Sequence, residues 1–142
     1  MYVRGATEED LPQLYALCCV AAGHPLPQDV FEGVFHAAQS NQRRRLLVAL
    51  EYDLIIGYAD MQIELLLGSC TLVATIHEFY VCEDTRGRGI GSGMLIALSN
   101  QAKSIGCSEV EAFCSRVNLK SQDFLERHGF VRSQHQFVRT LK

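Results

Sequence analysis

Between Thr71 and Ser104 the chain changes period abruptly. A run rich in branched and aromatic residues, Thr71 to Cys82, suits a pleated, half-buried strand, and from Gly89 the apolar positions Ile90, Met94, Leu95, Leu98, Ala102 and Ile105 recur at helical spacing. The two patterns are joined by Glu83-Asp84-Thr85-Arg86-Gly87-Arg88-Gly89, and Gly106 is placed to end the helix. A strand running through a glycine-rich turn directly into a helix requires a helix packed on a sheet, so the chain is α/β.

The same turn is an anion cradle by construction. The first helical turn has unpaired N–H groups at its positive dipole end, and glycine lets the backbone approach a phosphate without a clashing β-carbon. A tight turn with no ligand is the plain alternative. Gly87, Gly89, Gly91 and Gly93 alternate, so the dinucleotide-binding G-x-G-x-x-G register is not met, and the lysine of a Walker loop is missing.

Tyr2 to Ala6 reads as a strand. Thr7-Glu8-Glu9-Asp10 then suits a helix start by capping and by charge, with Pro12 tolerated in the first turn and Leu11, Leu14, Tyr15 and Cys18 as its apolar stripe. Gly23-His24-Pro25 breaks that helix, and Val30, Val34, Phe35 and Ala38 predict a second one to about Ser40. Leu46 to Glu51, Leu54 to Leu67 and Thr71 to Cys82 form a meander with turns at Tyr52-Asp53 and Leu67-Gly68-Ser69. Glu109 to Ser115 is a strand, Asn118 to His128 a helix closed by Gly129, and Phe130 to Leu141 a final strand or hairpin arm.

At 142 residues, 48 % apolar, the chain is the size of one globular domain, expected to span residues 1–142. No stretch approaches the ~20 apolar residues that span a bilayer, so a soluble, cytoplasmic protein without membrane partners is expected. A net charge of -3 gives no field for nucleic acid. Arg43-Arg44-Arg45 reads as a solvated helix end complementing the dipole, with phosphate or partner binding as the alternative. The six cysteines show no C-x-x-C pair and read as small buried hydrophobes; Cys114, ending a strand, is the best placed of them to be a nucleophile. His24, His36, His77, His128 and His135 include no pair at metal-ligand helical spacing, so no metal site is expected.

Arg86, Gly89 and Gly91, at the end of the strand containing Thr75-Ile76-His77-Glu78-Phe79-Tyr80-Val81, match R/Q-x-x-G-x-G/A. This resembles the signature of the GNAT acyltransferase superfamily, and the order of elements resembles that family from Tyr2 to the C-terminus. The resemblance implies a mixed, mostly antiparallel twisted sheet of six to seven strands flanked by about four helices. It also implies acetyl-CoA as cosubstrate. The strand before the signature would splay from the next, with Phe79, Tyr80 and Val81 along the pantetheine arm. Arg86, Gly87, Arg88, Gly89, Ile90, Gly91 and Ser92 would cradle the pyrophosphate, the two arginine side chains being available for charge-assisted contacts. A second landmark, N-x-x-A-x-x-F-Y-x-x-x-G-F, is similar to Asn118, Ser121, Phe124, Leu125, Gly129 and Phe130, which adds Asn118 and Phe124 to the cofactor site. Leu125 stands where the family often has the tyrosine that protonates the departing thiolate.

An amine with pKa near ~10 arrives as an ammonium ion and needs a base before it can attack a thioester. Glu78, a carboxylate interrupting an apolar strand, is the first choice, against the alternative of a rim carboxylate paired with a basic neighbour. His77 would face the other side of the sheet unless a bulge intervenes. The backbone N–H of Val81 is expected to polarise the thioester carbonyl. Tyr80 and Ser115 are possible replacement acids for the missing tyrosine, with structural roles as the alternative.

The expected function is therefore acetyl-CoA-dependent transfer to a primary amine, of a small molecule in the first reading and of a peptide or protein in the second; a non-catalytic acyl-CoA sensor is the third. Ser133-Gln134-His135-Gln136-Phe137-Val138-Arg139 and Ile76-His77-Glu78-Phe79 look like those of aminoalkylphosphonate N-acetyltransferases, a branch whose activity can involve a divalent cation. Thr75 stands where that branch tends to carry a second carboxylate. Pairing of family members through C-terminal strands implies a homodimer.

Overall fold

The computed structural model describes residues 1–142. Strands β1 (Tyr2–Gly5), β2 (Arg44–Glu51), β3 (Leu54–Leu66), β4 (Thr71–Val81) and β5 (Glu109–Ala112) form one sheet in sequential order. The first three pairings are antiparallel and β4–β5 is parallel. Four helices complete the fold: α1 (Leu11–Ala22), α2 (Gln28–Ser40), α3 (Ile90–Ile105) and α4 (Leu119–Arg127). A parallel neighbour for β4 needs a crossover, and α3 supplies it, which is why the glycine turn sits at the top of β4.

Strand alternation divides the apolar residues between two cores. Leu47, Ala59, Met61 and Ile76 pack under Met94, Leu95 and Leu98 of α3, while Val48, Ile55 and Tyr58 pack under Leu14 and Leu17 of α1 and Phe35 of α2. The sheet is thus covered on both faces. At Gly57 an added β-carbon would lie 2.9 Å from the Tyr80 carbonyl oxygen and 3.0 Å from the Met94 sulfur, so glycine is what lets β3, β4 and α3 close on one another. Helix α1 ends on Gly23 at φ 80° and α3 on Gly106 at φ 104°, the left-handed termini expected from their sequence.

Three expectations are corrected. The sheet has five strands, not six or seven: residues 130–142 form no strand, because within the chain their backbone groups find no ladder to join, and Val131, Phe137, Val138 and Leu141 stand exposed. Strand β5 stops at Ala112 instead of Ser115. The arginine cluster is not a helix end: α2 finishes at Ser40, Arg44 and Arg45 open β2, and Arg44 reaches across to Asp60.

Candidate functional site

Strands β4 and β5 pair from Val73–Glu109 to Ile76–Ala112, and β4 then continues to Val81 paired only with β3. Strand β5 has ended there, and a gap is left beside β4. On the α3–α4 face the gap opens into a slot of about 270 Å³ whose walls include Ile76, Phe79, Ser115, Asn118, Phe124 and Leu125. The N–H of Cys82 donates to the Ile56 carbonyl of β3 at 2.8 Å. Antiparallel alternation therefore turns the N–H of Val81, and that of Phe79, away from β3 and toward the gap.

The cradle lies above the slot. Gly87 and Gly89 have φ of 83° and 79°, a left-handed backbone that side chains resist, and Gly89 immediately precedes α3. Ile90 is buried in the core and anchors the turn. A β-carbon on Gly91 would sit 3.3 Å from the Phe124 ring, and Phe124 in turn packs on Phe79 with centroids 5.9 Å apart, so cradle, slot and α4 are locked together. These residues fit coenzyme A: backbone donors and a helix N-terminus for phosphates, and an apolar slot with free strand N–H groups for the pantetheine amides.

Several predicted side chains are occupied within the protein. Arg86 Nε donates to the Val81 carbonyl at 2.9 Å and its guanidinium lies 5.4 Å from the Tyr80 ring centroid, bracing the end of β4. Arg88 reaches Glu51 at 3.2 Å. Asn118 Oδ1 accepts from the Ser121 N–H at 3.1 Å and so caps α4 at the wall of the slot. The His128 ring donates from Nδ1 to the Phe124 carbonyl at 2.7 Å, which leaves Nε2, in the neutral ring, to accept from the Ser92 hydroxyl at 2.9 Å. Ser92 is thereby turned toward α4. The Cys114 thiol points to the carbonyls of Ser115 and Asn118 and shares the lining of the slot with His77, and all six cysteines are free.

Glu78 belongs to a second cavity. The β3–β4 register slips between Asp60 and Met61, leaving His77 as the extra residue, so His77 joins Ile76 and Phe79 at the slot while Glu78 turns to the opposite face. There, a groove of about 430 Å³ runs between α1, the Leu26-Pro27 connection, α2 and the sheet. Its apolar surroundings push the Glu78 carboxyl above the usual carboxylate range, and the charge of Asp60 adds to this, against smaller opposing effects of Arg44 and His77. Tyr80 packs on the groove side, 6.0 Å from Tyr58, whereas Ser115 is at the slot. No group of three or more His, Cys, Asp or Glu is arranged to hold a metal ion.

Sequence reasoning missed Asp60, Tyr58 and Cys18. Asp60 is 7 % exposed and bonded to Arg44 at 2.5 Å. Its signal was present, a carboxylate inside the apolar run Ile55 to Ile63, the same signal that singled out Glu78. Tyr58 and Cys18 carry no such mark, because each reads as an ordinary core residue.

Residues 9–130 match the model of the acetyltransferase (GNAT) family. The chain belongs to that family. It is an acetyl-CoA-dependent acetyltransferase. An aminoalkylphosphonate N-acetyltransferase of Salmonella typhimurium is 27 % identical over 98 % of this chain and 90 % of its own length. Among solved structures, a transcriptional regulator from Bacillus halodurans superposes with a TM-score of 0.90 at 23 % identity, covering 99 % of both chains. The aminoglycoside N-acetyltransferase AAC(6')-Iy in complex with CoA does so with 0.87 at 21 %, covering 99 % of this chain and 95 % of that one. At these identities the two structures show the fold of the acetyltransferase alone. No helix is long and apolar enough to cross a membrane.

Proposed function

We propose that residues 1–142 act as one catalytic domain that transfers the acetyl group of acetyl-CoA to a primary amine of a small molecule by direct attack on the thioester. The observation that carries this reading is that Glu78 and Phe79, successive residues of β4, open onto opposite cavities. Thioester in the slot and amine in the groove would then meet at the unpaired edge of one strand.

In this mechanism Glu78, whose pKa burial raises, takes a proton from the ammonium group directly or through water. The amine nitrogen bonds to the thioester carbon while the Val81 N–H holds the negative charge growing on the carbonyl oxygen. The carbon–sulfur bond breaks and coenzyme A leaves as its thiolate, a tolerable leaving group since thiols ionise near pH ~8.5. As the amide forms, its nitrogen loses its second proton, which Ser115, at the slot, or water relays to the thiolate, since Leu125 cannot donate one. The proton on Glu78 passes to solvent.

Release of free thiol from acetyl-CoA with a panel of amines tests the proposal, beside coenzyme A binding measured alone. Thiol release that depends on a small amine supports it, and dependence on peptides alone would replace the acceptor class. Binding with no release for any amine would favour an acyl-CoA sensor, the reading that Leu125 supports.

Free cysteines throughout suit a reducing compartment, and on that basis we place the enzyme in the cytoplasm. We also propose a homodimer, in which residues 130–142 of one copy pair with the free edge of β5 in another. Light scattering after gel filtration should give twice the chain mass, and the chain mass once residues 131–142 are deleted.

A further inference from the structure

The groove beside Glu78 has a composition that selects its occupant. Apart from Cys18, Tyr58 and Glu78, every residue lining it is apolar, among them Leu26, Val30, Phe31 and Val34. Val30 and Val34, one helical turn apart on α2, are 61 % and 52 % exposed even though they face this cavity, so neither core covers them. A ligand with an apolar body would cover them.

The polar end of the groove is just as restrictive. Of its three ionisable lining residues, Cys18 has its thiol pushed by burial to about 11, and burial likewise raises the Tyr58 phenol above its ordinary range. Both are neutral at physiological pH. Glu78 is the one lining side chain that carries charge, and no arginine, lysine or histidine lines the groove. Arg44, which lies close enough to influence Glu78, is committed to Asp60 at 2.5 Å. A phosphonate, which is held by guanidinium or ammonium donors, would meet a carboxylate there instead. A body rich in hydroxyl and ammonium groups would leave most of them unpaired against valine, leucine and phenylalanine.

We infer that the acceptor is a primary amine on an uncharged apolar body, an arylalkylamine or a medium-chain alkylamine, with its ammonium group at Glu78 and its body along Leu26, Val30, Phe31 and Val34. This rests on the acetyl-transfer reading above and departs from the acceptor named for the Salmonella relative. About 430 Å³ is room for such a molecule.

The experiment compares kcat/KM for phenethylamine, hexylamine, 2-aminoethylphosphonate, an aminoglycoside and short peptides with free N-termini. Phenethylamine or hexylamine is expected to exceed every other acceptor by at least ~10-fold, the ratio that burial of one sizeable apolar group supports. Val34→Lys, at a half-exposed helix position where folding is not at stake, should abolish that preference while leaving coenzyme A affinity unchanged. Equal or better turnover of the aminophosphonate, the aminoglycoside or the peptides overturns the inference. If no amine releases thiol although coenzyme A binds, it is the transfer reading that has failed, and calorimetry with phenethylamine then decides the groove: binding that Val34→Lys removes upholds the inference, and no binding overturns it.

Discussion

Asp60 and Glu78 face each other across β3 and β4, at the last matched pair before the ladder slips by a residue. Asp60 is neutralised by Arg44, whereas Glu78 has no ion-pair partner and its carboxyl is raised. Two carboxylates on adjacent strands are thus split into one that holds a cation and one that can hold a proton. If Glu78 is the base, kcat/KM falls as pH drops through its raised pKa. Asp60→Asn removes the neighbouring charge and frees Arg44, both of which favour ionised Glu78. The acid limb of the pH–rate profile should therefore move to lower pH in this variant.

Glu78→Gln tests the base itself. Acetyl transfer should drop by ~10²–10⁴-fold, the usual contribution of a positioned base. The stability effect has the opposite sign. A carboxyl whose folded pKa is raised stabilises the fold below its unfolded pKa and loses that contribution as pH rises through the folded value. At pH 7 removing the charge removes a penalty, so the variant's melting temperature should equal or exceed that of the parent. A variant that melts lower would assign Glu78 to the fold instead.

Gly89 combines a left-handed φ of 79° with open space around the position of a β-carbon. Gly89→Ala therefore adds backbone strain without a clash, and Gly89→Asp adds a negative charge at the cradle as well. Coenzyme A affinity, measured by calorimetry, should fall at least ~10-fold for the aspartate variant and further than for alanine. Equal affinities in all three proteins would place the phosphates elsewhere.

Asp10 carries the N-terminal junction. It accepts from Arg4 at 2.6 and 2.9 Å and from the Thr7 N–H at 2.7 Å, and these bonds, Arg4 foremost, hold its carboxyl below the usual range despite burial. Its contribution to stability is complete above the unfolded pKa of ~3.9 and is lost as pH falls through the lower folded value. Asp10→Asn should cost about 2 kcal/mol in urea unfolding at pH 7. The gap between the two proteins should narrow below pH ~4.

The local elements were legible because their causes are local. Gly23 and Gly106 end α1 and α3 where the helical stripes stop, and the turn at Tyr52-Asp53 separates β2 from β3 as expected. The tail after Gly129 was misread, since a segment becomes a strand only if another strand is there to receive it. Arg44 was misread for the same reason: its partner Asp60 lies on another strand.

By itself the sequence determined the glycine turn at the start of α3, because glycines leading into a helix are written in consecutive residues and act through the backbone. It also singled out Glu78, a carboxylate where its neighbours are apolar. Only the tertiary structure decided that Ile76 and Glu78 serve different cavities, since the slipped residue His77 between β3 and β4 breaks the alternation that would have put both on one face. It alone, too, brought α1, α2 and Tyr58 together around Glu78. Charge and burial there depend on residues far apart in the chain, and no local pattern encodes them.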